Sequence, residues 1–328
     1  MALPAAVCSV WISMVPILTF EPTMTEPRLC HVPCPGASAR ATAPAPGHRM
    51  AYWQWGDAAN PHVVVCVHGL TRQGRDFDVL ARALSRSVRV ICPDVVGRGQ
   101  SDWLHDPLAY QIPHYAADML ALLAQVHAES PITTLDWLGT SMGGLIGLAL
   151  LGTPGLPLPV PVRRLVLNDI GPSLDLAALQ RIASYLGKTG RFDTLQQAAD
   201  AMWAISSSFG PHTPDQWLEL SRHMVRPLVA GEAALTLHYD PALATAFGGF
   251  TAESAAAGEA ALWALYEQTT AQTLLLRGRE SDLLSAATAQ AMAQRGPKAR
   301  LVEFAGVGHA PTLVADDQVA VVLDFLQP

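Results

Sequence analysis

From residue 49 to its end the chain alternates short, continuous, β-branched apolar runs with longer stretches in which apolar residues return at helical spacing. Residues 52–55, 63–67, 88–92, 133–138, 164–167, 273–276 and 300–304 read as strands. Runs such as 63–67 are apolar without a break, as in strands covered on both faces. Residues 75–86, 112–128, 142–151, 283–294 and 316–326 read as helices, each between two strands or after the last. This predicts an α/β domain built on a mostly parallel sheet with helices on both faces. One gap breaks the rhythm. Between 171 and about 268 no strand-like run occurs, only helix-forming stretches such as 175–186, 195–205 and 214–224. The domain organisation that follows is a tail (1–48), a core (49–171 and 269–328) and a helical insertion (172–268).

The first 47 residues carry 8 of the 25 prolines and 3 of the 5 cysteines, without helical or strand periodicity, and read as a tail. Residues 1–20 are apolar, but Pro4 and Pro16 interrupt them and no Lys or Arg precedes Arg28, so they fit neither a membrane span nor a signal peptide. Export or anchoring is the competing reading, and Met24 is a plausible alternative start. Hydrophobic residues make up 50% of the chain and charged residues 15%, which excludes disorder. With 21 Lys and Arg against 28 Asp and Glu, a net charge of −7 and no basic cluster, a nucleic-acid partner is not expected. Five cysteines, an odd number with Cys66 and Cys92 inside strand-like runs, suit a reducing, cytoplasmic compartment. Cys30 and Cys34 lack a second Cys or His pair at zinc spacing and read as free thiols. Metal and cofactor are both expected to be absent.

The sharpest local signal is Gly139-Thr140-Ser141-Met142-Gly143-Gly144, directly after one strand and opening a helix. A turn that tight strains the serine backbone, exposes its hydroxyl and leaves no room for side chains at 139 or 143, the context a nucleophile elbow requires. A serine hydroxyl needs a base, and the base a carboxylate, in the chain order Ser, acid, His. His309, in Gly306-Val307-Gly308-His309 after the last strand, fits the base. For the acid, Asp282 after the penultimate strand is preferred. Asp169, at the end of the strand 164–167, is second, because loops at one sheet edge can reach the same histidine, and Glu280 is third. Backbone N–H groups of Leu70 and Met142 are the expected oxyanion donors. His68 reads as a structural residue, and Arg72, Arg75 and Asp76 as either substrate contacts or a self-paired loop.

Together, His68-Gly69, the segment from Asp94 to Ser101, the elbow at Ser141, Asp282 and Gly306-Val307-Gly308-His309 resemble the α/β-hydrolase fold superfamily, within it the capped bacterial serine hydrolases of the esterase, lactonase and carbon-carbon bond hydrolase branch. The resemblance implies an eight-stranded, mostly parallel sheet with a helical cap inserted after the sixth strand. It implies ester hydrolysis through an acyl-enzyme on Ser141, with a lactone or vinylogous diketone as alternative substrate and a non-enzymatic receptor as the reading outside catalysis. Ten of the 22 aromatic residues fall between 171 and 268. A covered apolar pocket there would take a small or medium ester or a hydroxyalkanoate oligomer rather than a protein, and no stable membrane insertion is expected.

Overall fold

The computed structural model describes residues 26–36, 46–247 and 252–327. The readings of residues 1–20 and of Met24 lie outside them. In chain order the elements are β1 (Arg28–Cys34), β2 (His48–Trp55), β3 (His62–Val67), α1 (Asp78–Leu84), β4 (Arg89–Asp94), α2 (Ile112–Glu129), β5 (Thr134–Thr140), α3 (Met142–Leu151) and β6 (Val162–Asn168). There follow α4 (Leu176–Tyr185), α5 (Leu195–Ser206), α6 (Pro214–Arg222), β7 (Val225–Pro227), β8 (Leu235–Leu237), α7 (Leu243–Phe247) and α8 (Ala252–Gln268). The chain then returns through β9 (Gln272–Gly278), α9 (Ala286–Met292), β10 (Arg300–Phe304) and α10 (Asp316–Leu326).

Eight strands form one sheet in the order β1-β2-β4-β3-β5-β6-β9-β10, antiparallel at β1/β2 and β2/β4 and parallel elsewhere. Strand β3 shows why the apolar runs are unbroken. All six of its residues are buried; Val63, Val65 and Val67 join the core beneath α2 and α3, while Val64 and Cys66 join the core beneath α1 and α10. Each fully buried Val contributes about 1.5–3 kcal/mol, so a charge on either face of β3 would be costly.

Strand β1 lies inside the stretch read as a tail. It pairs antiparallel with β2 along its whole length and buries Val32 and Cys34 to 2% and 5% exposure. Pro33 is tolerated because β1 is the outermost strand among the described residues, where no described neighbour on one side needs its missing N–H.

Between β6 and β9 the predicted helices form α4, α5 and α6 with side-chain N-caps: Asp175 accepts from Ala178 N–H, and Thr194 and Thr213 from the N–H groups of Gln197 and Gln216. This segment also contains the short antiparallel pair β7/β8, too brief to register as periodicity. Ala198, Ala199, Met202, Trp217, Leu220 and Met224 form a small core that also takes in Val314 from the segment between β10 and α10. Among the described residues no helix is long and apolar enough to cross a membrane.

Candidate active site

Ser141 follows β5 at the carboxyl edge of the sheet, with φ 50° and ψ −116°, a conformation an L-residue adopts only under constraint. The glycines around it supply the constraint. A Cβ on Gly139 would lie 2.3 Å from the Gly143 carbonyl, and one on Gly143 would lie 2.0 Å from the Val67 carbonyl oxygen. The Ser141 N–H donates to Asn168 O (3.0 Å), tying the elbow to the end of β6.

His309 Nε2 lies 3.0 Å from Ser141 Oγ, and His309 Nδ1 lies 2.7 Å from Asp169 Oδ2. Asp169 is fully buried and held at φ 54° by a bond from its N–H to Leu276 O (2.8 Å). Its carboxylate accepts from Gly278 N–H (2.8 Å) and Ser281 Oγ (2.6 Å) as well as facing the imidazole. Asp282, expected at the histidine, stands elsewhere: it forms a two-pronged pair with Arg181 of α4, 2.8 and 3.0 Å, at the surface. The loop after β9 thus carries donors to the carboxylate at His309 rather than the carboxylate itself. The local bonds account for the exchange: Asp169 is anchored to β9 through Leu276 O and Gly278 N–H, while the Asp282 carboxylate is engaged by Arg181. Glu280 is exposed and accepts from Val307 N–H (2.8 Å), which fastens the loop bearing His309. Bonds from the Gly306 and Val307 amides hold its carboxyl below the usual range.

Leu70 and Met142 both border the site. A Cβ on Gly69 would sit 3.6 Å from Ser141 Cβ, so the β3 loop passes close to the hydroxyl. Met142 opens α3, where backbone N–H groups have no partner one turn earlier. Arg98 links the two, a role the sequence does not announce. It is fully buried, and its guanidinium donates to Leu70 O (2.8 Å), Val96 O (2.7 Å) and Tyr115 Oη (3.1 Å), and its Nη2 approaches Met142 Sδ at 3.4 Å. Tyr115 also stacks beneath it, 5.1 Å from the ring centroid. His68 is structural, as read: Nδ1 bonds Gly69 O (2.7 Å), Nε2 accepts from Val95 N–H (2.9 Å), and burial pushes the ring down to about 3, so it is neutral.

A cavity of about 300 Å³ lies over Ser141 and His309, between the sheet edge and the inserted segment. Of the aromatics in that segment, Tyr185, Phe192, Phe209 and Tyr239 line it. Trp203 and Trp217 instead pack edge to face (5.0 Å), as do Trp263 and Tyr266 (5.8 Å); Phe250 lies outside the described residues. The cations on its wall are Arg72, Arg181 and Lys188, opposed by Asp76. Arg72 is taken up by Asp76 (2.6 and 2.8 Å), and Arg75 by Asp78, so that loop is largely self-paired. Lys188 has no carboxylate partner among the described residues.

A family model for the alpha/beta hydrolase fold matches residues 62–316. The chain is 48% identical over 302 residues to a 3-hydroxybutyrate-oligomer hydrolase of Cupriavidus necator, covering 92% of this chain and 98% of that protein. Among solved structures it is similar to a putative hydrolase from Rickettsia typhi (28% identity, TM-score 0.79, 92% of this chain and 99% of that one). It is also similar to an alpha/beta hydrolase from Novosphingobium aromaticivorans (34% identity, TM-score 0.75, 93% and 99%).

Proposed function

The chain belongs to the alpha/beta hydrolase fold family, and on that footing we propose that it cleaves carboxylic esters, short linear 3-hydroxybutyrate oligomers among them, through Ser141, His309 and Asp169. The observation that carries this reading is the unbroken line from Ser141 Oγ to His309 Nε2 (3.0 Å) and from His309 Nδ1 to the buried Asp169 carboxylate (2.7 Å).

In this mechanism Ser141 Oγ attacks the ester carbonyl carbon as its proton passes to His309 Nε2. Asp169 keeps the other ring nitrogen protonated and stabilises the imidazolium that forms. The N–H groups of Leu70 and Met142 receive the charge that develops on the carbonyl oxygen. His309 then protonates the departing alkoxide, which in an oligomer is the 3-hydroxyl of the next unit, and a water activated by the same imidazole releases the acyl group. The inserted segment acts as a cap, and its aromatic and aliphatic lining suits the methyl-bearing backbone of such an oligomer. A linear oligomer also ends in a carboxylate. With Arg72 paired to Asp76 and Arg181 to Asp282, Lys188 is the cation on the cavity wall left to meet that end.

The test is release of 3-hydroxybutyrate from its dimer and trimer, beside p-nitrophenyl esters and simple lactones. Wild-type protein turns over the oligomers and Ser141→Ala loses several powers of ten while remaining folded. Equal turnover by the variant removes Ser141 from the reaction; oligomers left intact while p-nitrophenyl esters are cleaved remove the substrate and keep the esterase.

A further inference from the structure

Cys34 and His48 stand directly opposite one another where β1 pairs with β2, so their side chains leave the same face of the hairpin. His114 and Asp118 are spaced i, i+4 on α2 and project from one side of that helix. The four converge. His48 Nε2 lies 3.0 Å and His114 Nε2 lies 3.8 Å from the same Asp118 oxygen, Oδ2. One ligand atom from each of Cys34, His48 and Asp118 lies within 4.8 Å of the other two, and the two imidazole centroids are 5.1 Å apart.

The cluster is buried and underpaired. Asp118 is fully buried, and both histidine side chains are 5% exposed. His48 Nδ1, His114 Nε2 and Asp118 Oδ1 have no hydrogen-bond partner, three of the nine such buried side-chain atoms among the described residues. Each orphaned polar atom costs about 1–3 kcal/mol, so the local arrangement is incomplete without a further partner. Arginine and lysine do not supply it, since the ion pairs of Asp118 are with the two histidines alone.

We propose that Cys34, His48, His114 and Asp118 bind a zinc ion in a structural site that fastens the β1–β2 hairpin to α2. A thiolate, two imidazoles and a carboxylate are zinc donors, and the sulfur disfavours magnesium and calcium. Four protein ligands close a tetrahedron, leaving no position for water or substrate. On binding, the Cys34 thiol releases its proton to solvent, and the ion's two positive charges then match the thiolate and the carboxylate. Zinc–ligand bonds of about 2.0–2.3 Å place tetrahedral neighbours about 3.3–3.8 Å apart. The observed 3.0 and 3.8 Å to the Asp118 oxygen bracket that range; Cys34, His48 and Asp118 already lie within 4.8 Å of one another, and His114, outside that group of three, turns inward to complete the tetrahedron. No residue of this cluster belongs to the line through Ser141, so the site is independent of the proposed reaction. Spread over two strands and a helix, it has no compact Cys and His spacing to reveal it.

The full chain, with any affinity tag removed, is stripped with a chelator and titrated with Co(II) and with Zn(II). One equivalent is expected to bind, with a thiolate-to-cobalt charge-transfer band in the near ultraviolet and a melting temperature that rises on adding one equivalent of zinc. Cys34→Ser loses the band and binds zinc at least about tenfold more weakly, and Asp118→Asn weakens binding by a comparable factor. Absence of the band and of any zinc-dependent change in melting temperature in the wild-type chain overturns the proposal. So does cobalt or zinc binding that is unchanged in Cys34→Ser, which assigns the metal to other residues.

Discussion

His309 Nδ1 faces Asp169 Oδ2 at 2.7 Å, across the carboxyl edge of β6, while Asp282 is bound to Arg181. Asp169 holds three donors at once, from Gly278, Ser281 and the imidazole, and a carboxylate so held can keep the ring in one orientation and one tautomer.

Asp169→Asn is therefore expected to lower kcat for ester hydrolysis by on the order of 10³ to 10⁴, because the amide no longer compensates the imidazolium or fixes its tautomer. Asp282→Asn should remain within a few-fold of wild type, since it breaks only a partly exposed ion pair. Steady-state kinetics on one activated ester decide between the two, and the reverse ranking would return the acid to Asp282.

Arg98 holds the Leu70 carbonyl and contacts Met142, the two residues whose N–H groups face the developing oxyanion in the proposed mechanism. Arg98→Leu should lower kcat by about 10- to 100-fold with KM nearly unchanged, since the donors it positions act in the transition state. Arg98→Lys should not rescue it, because an ammonium cannot make the same fork of bonds. A rise in KM with kcat intact would instead make Arg98 a ground-state binding residue.

The elbow was legible because its chemistry is local: strand, glycines, serine and helix lie within a dozen residues. His309 was legible for the same reason, standing between glycines after a strand. Its carboxylate partner was not, because the choice between Asp169 and Asp282 depends on distant partners, Gly278 and Ser281 for the one and Arg181 of the inserted segment for the other, which neither loop sequence reveals. Strands β2 to β6, β9 and β10 showed as strand-like runs. Strand β1 did not, since Pro33 and the absence of a strand-like run hid a pattern in which only Val32 and Cys34 point inward. The contacts of Arg98 are likewise invisible in sequence, because its partners come from three separate segments.

If Lys188 meets the free carboxylate of an oligomer, Lys188→Ala should raise KM for the 3-hydroxybutyrate dimer by up to about fivefold, the worth of a partly solvated ion pair. The methyl ester of the same dimer should show no such change. Parallel KM measurements on acid and methyl ester make the comparison, and an equal effect on both would assign Lys188 a general packing role.

Stability should fall as the pH drops below about 6.5. Burial, opposed by the Gly69 hydrogen bond, holds His68 near 3, and burial with the Arg226 charge holds His238 near 4, both below the ordinary 6.5. Between those values the unfolded chain binds protons that the native chain refuses, so stability is full above 6.5 and is lost as pH falls. From pH 6.5 to 5, His68 alone contributes a loss of about 2 kcal/mol. Asp94 opposes this: burial raises it from 3.8 to about 6, so the native chain gains protons there first. Burial raises Asp76 as well, but it also lowers His114, His212 and His223, so two carboxylates stand against five histidines and acidification leaves a net loss. Melting temperature measured at pH 7.5 and at pH 5 should show that decline, and it should be smaller in His68→Asn.

The assignment of Ser141 as nucleophile, in a cavity that accepts short 3-hydroxybutyrate oligomers, is the part of the proposed mechanism on which the rest depends. Its most direct test is covalent labelling with a fluorophosphonate in the presence and absence of the trimer, followed by mass spectrometry of the adduct. A single adduct is expected, on the peptide bearing Ser141, formed more slowly as trimer is added. An adduct on another serine, or labelling of Ser141 at a rate the trimer does not change, would contradict it.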